Sequence, residues 1–313
     1  MSSSKKRVLV TGATGLIGKE LAEPLHEAGF DVYAITIDEI NPANGINWVR
    51  GNLFDERFVG DVMADLKPTH LLNMAWATTG DYLSSDINYK FLAAGISLAE
   101  AFAKNGGKRA VYAGTCFEYK FKDEPLSETD ELDPGKFTYT FCKDALRRIV
   151  SRYFESHGIS FAYGRIFYVF GNGEATTRLT GMLVDKLCRG ERVSINSGSL
   201  LRDYLYSKDI AGAFSALLSS ATEGCVNVCS GKEVSIRDYA LKVARSLGRE
   251  ELVEFCDAPS VQPRRIIGNN ARLTDEVGYE IKWPIDVAIE DIVRSVGKHD
   301  MSASTTKSTS MIP

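Results

Sequence analysis

Tyr139 and Lys143, a phenol and an ammonium four residues apart in Tyr139-Thr140-Phe141-Cys142-Lys143, are the side chains best suited to move a proton. On a helix such positions are neighbours, with Cβ atoms about 5–6 Å apart, so both groups share one face. That face continues through Leu146, Ile149, Val150 and Tyr153. An ammonium at the edge of an apolar face needs a compensating partner, whereas a solvated pair would suit an exposed face. A cation beside a phenol favours the phenolate, giving an acid/base group able to work near neutral pH. Thr115 is a third candidate, at the end of the apolar run Ala110-Val111-Tyr112-Ala113-Gly114. Its hydroxyl could hydrogen-bond a reacting oxygen together with Tyr139, although a strand-end threonine is also a common turn residue.

A second kind of chemistry lies near the start of the chain. Val8-Leu9-Val10 is a continuous apolar run, as a parallel strand buried on both faces requires, and it leads straight into Gly12, Gly15 and Gly18. Gly12 allows a sharp turn, Gly15 allows close backbone approach to a pyrophosphate, and Gly18 lets the next helix lie against the sheet. A helix beginning near Gly15, with Leu16, Ile17, Leu21 and Leu25 as its apolar side, is expected to aim N–H groups and its positive dipole end at the phosphate. The stretch therefore reads as a dinucleotide-binding turn.

The elements that must position these residues follow from the hydrophobic rhythm. Strands are expected at 8–11, 31–37, 71–75, 110–113 and 161–167, alternating with helices at 16–28, 56–66, 91–104 and 139–155. That alternation implies right-handed βαβ units and a doubly wound parallel sheet, an α/β fold. After Gly171-Asn172-Gly173 the rhythm loosens into helices at 179–189, 209–218, 235–247 and 285–296, with strands at 193–195 and 226–228. The expected organisation is a dinucleotide-binding domain over 5–170 and a smaller α/β substrate lobe over 171–298, some of whose segments return to the sheet. Ligands of such sheets bind beyond the carboxyl ends of the strands, so substrate is expected between sheet and lobe. The tail 299–313 lacks apolar periodicity and is expected to be disordered.

Composition removes whole classes of function. At 313 residues and 44% hydrophobic content a sizeable core is available, and a net charge of −4 argues against a nucleic-acid partner. Neither a membrane span nor a signal peptide is evident, so a cytoplasmic protein is expected. The six cysteines (116, 142, 188, 225, 229 and 256) are expected to be buried free thiols, with Cys225 and Cys229 on one strand face. No pair among the four histidines has ligand spacing, and no metal is expected.

Together these residues resemble an extended short-chain dehydrogenase/reductase of the nucleotide-sugar epimerase/dehydratase/reductase group. The likeness rests on the turn at 11–18, the Tyr139/Lys143 pair, Thr115 four residues before Tyr119, Gly51-Asn52-Leu53, Ala75-Trp76-Ala77, Asn88, and Leu201-Arg202-Asp203-Tyr204. It implies a Rossmann-type fold binding NAD(P)(H), with Lys143 holding the nicotinamide ribose and lowering the proton affinity of Tyr139, and Thr115 orienting the sugar oxygen. Cofactor contacts are implied for Gly12, Thr14, Gly15, Leu16, Ile17, Gly18, Thr36, Asn52, Leu53, Ala75, Trp76 and Ala77. A nucleotide-diphosphate sugar is the implied partner, met by Thr78, Cys116, Tyr168, Arg202 and one of Arg264 and Arg265, with Arg265 preferred. A homodimer through the Tyr139 helix and the helix after Asn88 is also implied.

Departures from the family narrow the chemistry. Dehydratases of the group carry an acidic pair directly after the hydroxyl residue, where this chain has Cys116 and Phe117. Double epimerases carry a cysteine two residues after it, where Phe117 stands. The expectation is thus a 4-ketoreductase finishing a deoxysugar, with a 4-epimerase as the alternative and a non-catalytic dinucleotide sensor as the reading from a different class. Thr36 stands where the family grips the adenosine 2′-hydroxyl with an acid, Asp38 follows two residues later, and NAD versus NADP stays open.

Overall fold

Apolar runs that end in glycine or polar turns build one large sheet. The computed structural model describes residues 6–38, 45–256 and 262–305. The first six strands are β1 (Lys6–Thr11), β2 (Phe30–Thr36), β3 (Asn47–Arg50), β4 (His70–Asn73), β5 (Arg109–Thr115) and β6 (Ser160–Ile166). The next five are β7 (Tyr168–Phe170), β8 (Val193–Ile195), β9 (Leu201–Arg202), β10 (Tyr204–Tyr206) and β11 (Gly224–Val228). Seven strands join in the order β3-β2-β1-β4-β5-β6-β11, every neighbouring pair parallel. Chain order reverses between β1 and β4, which opens a crevice beyond their carboxyl ends. This is the doubly wound α/β arrangement expected from the rhythm.

Helices α1 (Ala22–Glu27), α2 (Glu56–Leu66), α3 (Ile87–Lys104), α4 (Thr138–Ser156), α5 (Leu179–Cys188) and α6 (Ser207–Ser219) accompany the strands. Alternate residues of each strand face opposite sides, so the sheet feeds two apolar layers. On one side Val8, Val10, Leu72 and Val111 pack with Leu25 of α1 and Phe214 and Leu217 of α6. On the other, Leu9, Leu71 and Tyr112 pack with Met63 of α2, Leu98 of α3, and Leu146, Val150 and Phe154 of α4. Burying one such large side chain is worth about 1.5–3 kcal/mol, so the sheet is held from both faces.

The lobe has its own core. Phe170, Leu183, Ile195, Tyr206, Tyr239, Val243 and Ile289 cluster there. They come from β7, β8, β10, α5, α7 (Ile236–Ser246) and α8 (Ile285–Thr305). Strand β9 is paired antiparallel with β12 (Val234–Ser235) and parallel with β14 (Arg265–Ile266), while β8 pairs with β13 (Val253–Phe255). No helix among the described residues is long and apolar enough to cross a membrane.

Several elements differ from the expected ones. The helix expected over 16–28 is a 3-10 turn at Gly18–Glu20 followed by only six helical residues. Pro24 is the physical reason, since it lacks an N–H for the i−4 carbonyl and its ring crowds that carbonyl. Strand β3 went unread because it is a four-residue sheet edge with exposed ends. Helix α3 begins at Ile87, four residues before the expected start, and α8 runs on past 296 to Thr305. Residues 306–313, part of the tail expected to be disordered, lie outside the described residues.

The cysteines are also a correction. None of the six forms a disulfide, but Cys188 and Cys256 are exposed and Cys225 is only half-buried. Cys229 lies one residue beyond β11 and packs with Cys116 and Tyr119, whereas Cys225 packs with the α4 side of the sheet.

Candidate active site

At the carboxyl ends of β1 and β4 the glycine turn meets the opposite strand's exit. Gly12 has φ 74°, and an added Cβ there would stand 2.7 Å from the Ala75 nitrogen. Thr11 ties the two strand ends together: its hydroxyl donates to Asn73 Oδ1 at 2.6 Å and accepts from the Ala75 N–H at 3.2 Å. A Cβ on Gly18 would meet Ala13 Cα at 2.6 Å, whereas one on Gly15 would touch only the Gly12 carbonyl oxygen, at 3.3 Å. Gly15 therefore faces open space, which is the cradle a pyrophosphate needs. Because the following helix is short and starts at Ala22, the phosphate-facing groups belong to the turn itself and not to a helix N-terminus. Gly15 N–H is used by Gly12 O, while no described residue accepts from the N–H of Leu16 or Ile17.

The turn opens into a cleft of about 880 Å³ that runs from β2 across β4 and β5 to the lobe. Every cofactor residue named from the sequence lines it, as do Thr115, Tyr139, Lys143, Thr78, Tyr168 and Arg202. At its β2 end, Thr36 Oγ1 accepts from the Asp38 N–H at 3.0 Å, and Asp38 itself lines the cleft. Trp76 stacks on Phe91 at 5.4 Å and donates its indole N–H to Asn88 at 2.7 Å. Asn88, fully buried, donates in turn to the carbonyls of Tyr82 and Ser85, both at 2.7 Å. One asparagine thus orders both the Trp76 wall and the loop above it.

Two elements deliver the candidate acid/base group. Thr115 ends β5 and caps the next turn, its Oγ1 accepting from Phe117 N at 3.3 Å while Glu118 Oε1 accepts from Thr115 N at 3.1 Å. Turn residue and cleft hydroxyl are therefore the same threonine. Tyr139, in the first turn of α4, lines the cleft beside Thr115, and its ring meets Tyr82 edge-on at 5.2 Å. Lys143 Nζ donates to the Ala113 carbonyl at 2.7 Å and lies 4.3 Å from the centre of the Trp76 ring.

Burial governs both ionisations. It pushes the Tyr139 phenol well above the usual tyrosine range, reinforced by Tyr82 and opposed by the Thr115 bond. It pulls Lys143 down from 10.5 to about 7, opposed by Glu118. The largest influences on the phenol in this structure are burial, Tyr82 and Thr115, with Lys143 not among them. Desolvation disfavours each charged form, and the ammonium is directed at a carbonyl and an indole face. At neutral pH the phenol keeps its proton.

Beneath Thr115 lies a buried network that the sequence reading passed over. Glu118 and Arg165, 0% and 1% exposed, form an ion pair at 2.9 Å. Glu118 Oε1 also accepts from Tyr163 OH at 2.7 Å, and Arg165 Nη1 donates to Tyr119 OH at 3.1 Å. The available signal was the spacing Thr115-x-x-Glu118, the pattern of a capping box.

On the lobe side, Arg202 is 1% exposed and donates to the carbonyls of Leu201, Pro263 and Arg264 and to Gln262 Oε1. Each of those partners is a neutral oxygen. Its guanidinium lies 5.3 Å from the centre of the Tyr168 ring. Arg178, not singled out from the sequence, also lines the cleft, donating to the Thr78 carbonyl at 2.6 Å and lying over the Tyr82 ring.

Two named residues are not brought to the cleft. Cys116 turns inward to Tyr119, Phe167 and Cys229, and burial pushes its thiol up. Arg265 leaves β14 on the outer side, pairs with Glu233 at 2.8 Å and donates to the Asp123 carbonyl. Arg265 is turned away by the register of the two-residue β14, which the sequence pattern does not carry, and Cys116 by the 3-10 turn it opens after β5.

Residues 8–229 match the model of the NAD dependent epimerase/dehydratase family. The chain is 26% identical to CDP-abequose synthase of Salmonella typhimurium over 94% of its own length and 99% of that protein. It is 22% identical to dTDP-4-dehydro-6-deoxyglucose reductase of Escherichia coli, over 95% and 99% of the two chains. Its fold superposes on the NAD complex of UDP-glucose 4-epimerase from Thermus thermophilus with a TM-score of 0.80 and 25% identity, covering 92% of this chain and 99% of that one.

Proposed function

Since the chain belongs to the NAD-dependent epimerase/dehydratase family, we propose that it reduces the 4-keto group of a nucleotide-linked deoxysugar, with Tyr139 as general acid. The observation that carries this reading is the convergence of Thr115, Tyr139 and Lys143 on one cleft, with the Tyr139 phenol in its protonated form. The residues after Thr115 agree with it. Cys116 is packed inward and Phe117 presents a ring, so neither supplies the acid and base that dehydration at a neighbouring carbon needs.

The cleft fits a nicotinamide dinucleotide on the strength of its glycine cradle, where backbone stands too close to Gly12 and Gly18 for a Cβ and Gly15 faces open space. Gly15, Leu16 and Ile17 would hold the pyrophosphate, Asn52 and Leu53 would border the adenine, and Lys143 would hold the nicotinamide ribose. Asp38 beside Thr36 favours the 2′-hydroxyl of NAD(H), because a carboxylate repels a 2′-phosphate. When bound, the dinucleotide supplies the hydride. Tyr139 then passes its proton to the oxygen at C4 as the carbonyl becomes an alcohol, and Thr115 holds that oxygen in place.

Arg202, surrounded by neutral oxygens, is the residue to meet the nucleotide diphosphate, with Arg178 at the cleft mouth as its second cation. Arg202→Lys keeps the charge but loses the fork. It is expected to raise KM for the nucleotide sugar about 10–100-fold with little change in kcat, as read from initial rates on a variant with unchanged thermal melting. Homodimer formation belongs to the same reading, supported by Tyr89 on α3 and by Phe141 and Ile149 on α4, which expose 51%, 54% and 44% of their surfaces.

Reductase and 4-epimerase use the same three side chains, and stoichiometry separates them. Purified protein is incubated with NADH or NADPH and 4-keto-6-deoxy sugars linked to dTDP, UDP, GDP or CDP. One reduced dinucleotide consumed per alcohol formed supports reduction. Interconversion of two 4-hydroxy nucleotide sugars with no net dinucleotide consumption overturns it in favour of epimerisation.

A further inference from the structure

The Glu118–Arg165 pair is placed where stability alone does not account for it. Two fully buried charges cost several kcal/mol of desolvation each, and apolar residues of similar volume often serve a fold as well or better. The carboxylate of Glu118 touches β5 directly and reaches α4 through Tyr163 of β6. Its Oε1 accepts from Thr115 N at the end of β5. Its other donor to that oxygen, Tyr163 OH, also lies 3.3 Å from the Lys143 carbonyl on α4.

The charge geometry is asymmetric. Arg165 sits on the far side of the carboxylate, against Tyr119, and its further neighbours are Arg147 of α4 and Cys225 of β11. Tyr119 leads on to Asn227, whose N–H donates to Glu128. Facing the cleft, Tyr139 and Lys143 feel the carboxylate, as does the inward-turned Cys116. Its negative charge favours the ammonium of Lys143 and disfavours the phenolate of Tyr139. Both effects act in one direction, toward retention of protons.

We propose that Glu118 is a positioning residue that clamps Thr115 to the Tyr139 helix and biases the Tyr139/Lys143 pair toward its proton-loaded form, the form that reduces a ketone. The inference rests on Tyr139 as general acid. A reductase needs the loaded pair at the start of each turnover, whereas a 4-epimerase must begin by taking a proton away. The buried carboxylate thus sets the direction in which the shared acid/base group is primed.

The test is the pH profile of Glu118→Gln, which keeps the size of the side chain and one acceptor oxygen but removes the charge. The substrate is dTDP-4-keto-6-deoxyglucose with NADH. The high-pH limb of kcat/KM, where the acid loses its proton, is expected to move to lower pH by about one unit. Ultraviolet difference titration of the ligand-free protein against Tyr139→Phe is expected to show the same shift of the Tyr139 phenol, whichever nucleotide sugar is turned over. Glu118→Gln with Arg165→Gln removes both charges and covers the case in which the single variant leaves Arg165 unpaired and fails to fold. A merely structural role would lower the rate at every pH and leave limb and titration in place, and that result overturns the proposal. If Tyr139→Phe itself keeps full activity, the general-acid reading fails first, which distinguishes the two failures.

Discussion

Tyr139→Phe is expected to lose about 10²–10⁴-fold in kcat while dinucleotide binding persists. The ring is held by edge contacts to Tyr82 at 5.2 Å and Trp76 at 6.2 Å, and phenylalanine keeps both. Only the phenolic oxygen and its influence on Thr115 disappear. Lys143 keeps its bond to the Ala113 carbonyl, so the cofactor end of the site should stand unchanged. Turnover followed at the reduced nicotinamide band, beside calorimetric titration with NADH, measures the two quantities separately. A variant with parental turnover removes Tyr139 from the chemistry, and one that loses both turnover and dinucleotide binding assigns the residue to the fold.

Gly18→Ala is expected to damage both the fold and dinucleotide binding. The new methyl group would be forced against the Gly12 carbonyl oxygen and to within 2.6 Å of Ala13 Cα and 2.8 Å of Ala13 C, all backbone atoms that cannot rotate away. Overpacking of this kind costs about 1–3 kcal/mol or more, and here relief requires moving the turn that frames the cradle. A lowered melting temperature and loss of NADH binding over at least two decades of concentration are the expected readings. Gly15→Ala is the contrasting variant. Its methyl would touch only the Gly12 carbonyl, at 3.3 Å, and would otherwise occupy the open cradle, so melting should change little while NADH affinity falls. Equal melting losses in the two variants would contradict this division of roles between the glycines.

The parts legible in the sequence share one property: their signal is local. A three-residue apolar run ahead of spaced glycines, a Tyr and a Lys four apart on an amphipathic helix, and a hydroxyl at a strand end all lie within short windows. Those windows correspond to β1, α4 and β5 and line one cleft. The failures are non-local or lie where a single residue overrides a pattern. The apolar stripe of Leu16, Ile17, Leu21 and Leu25 has helical spacing, yet Pro24 reduces the segment to a 3-10 turn and six helical residues. Of Arg264 and Arg265, the sequence pattern favoured Arg265 as a partner for a diphosphate. Pairing of β14 with β9 places the Arg264 carbonyl on Arg202 and sends Arg265 outward to Glu233.

The sequence by itself determined the α/β class and singled out the glycine turn, Thr115, Tyr139 and Lys143 as candidates, because each depends on periodicity or on spacing along one element. Only the tertiary structure decided the state of those residues. Tyr139 and Lys143 are neighbours on any helix, but their proton affinities follow from what surrounds them: Trp76 and the Ala113 carbonyl at the ammonium, and Thr115 and Tyr82 at the phenol. Burial outweighs the attraction of a nearby cation, since removing a charge from water costs more than one imperfectly aligned partner returns. Glu118 acts on this pair through a network that spans β5, β6 and α4. No stretch of sequence contains such a contact, since it exists only after the sheet has brought the three elements together.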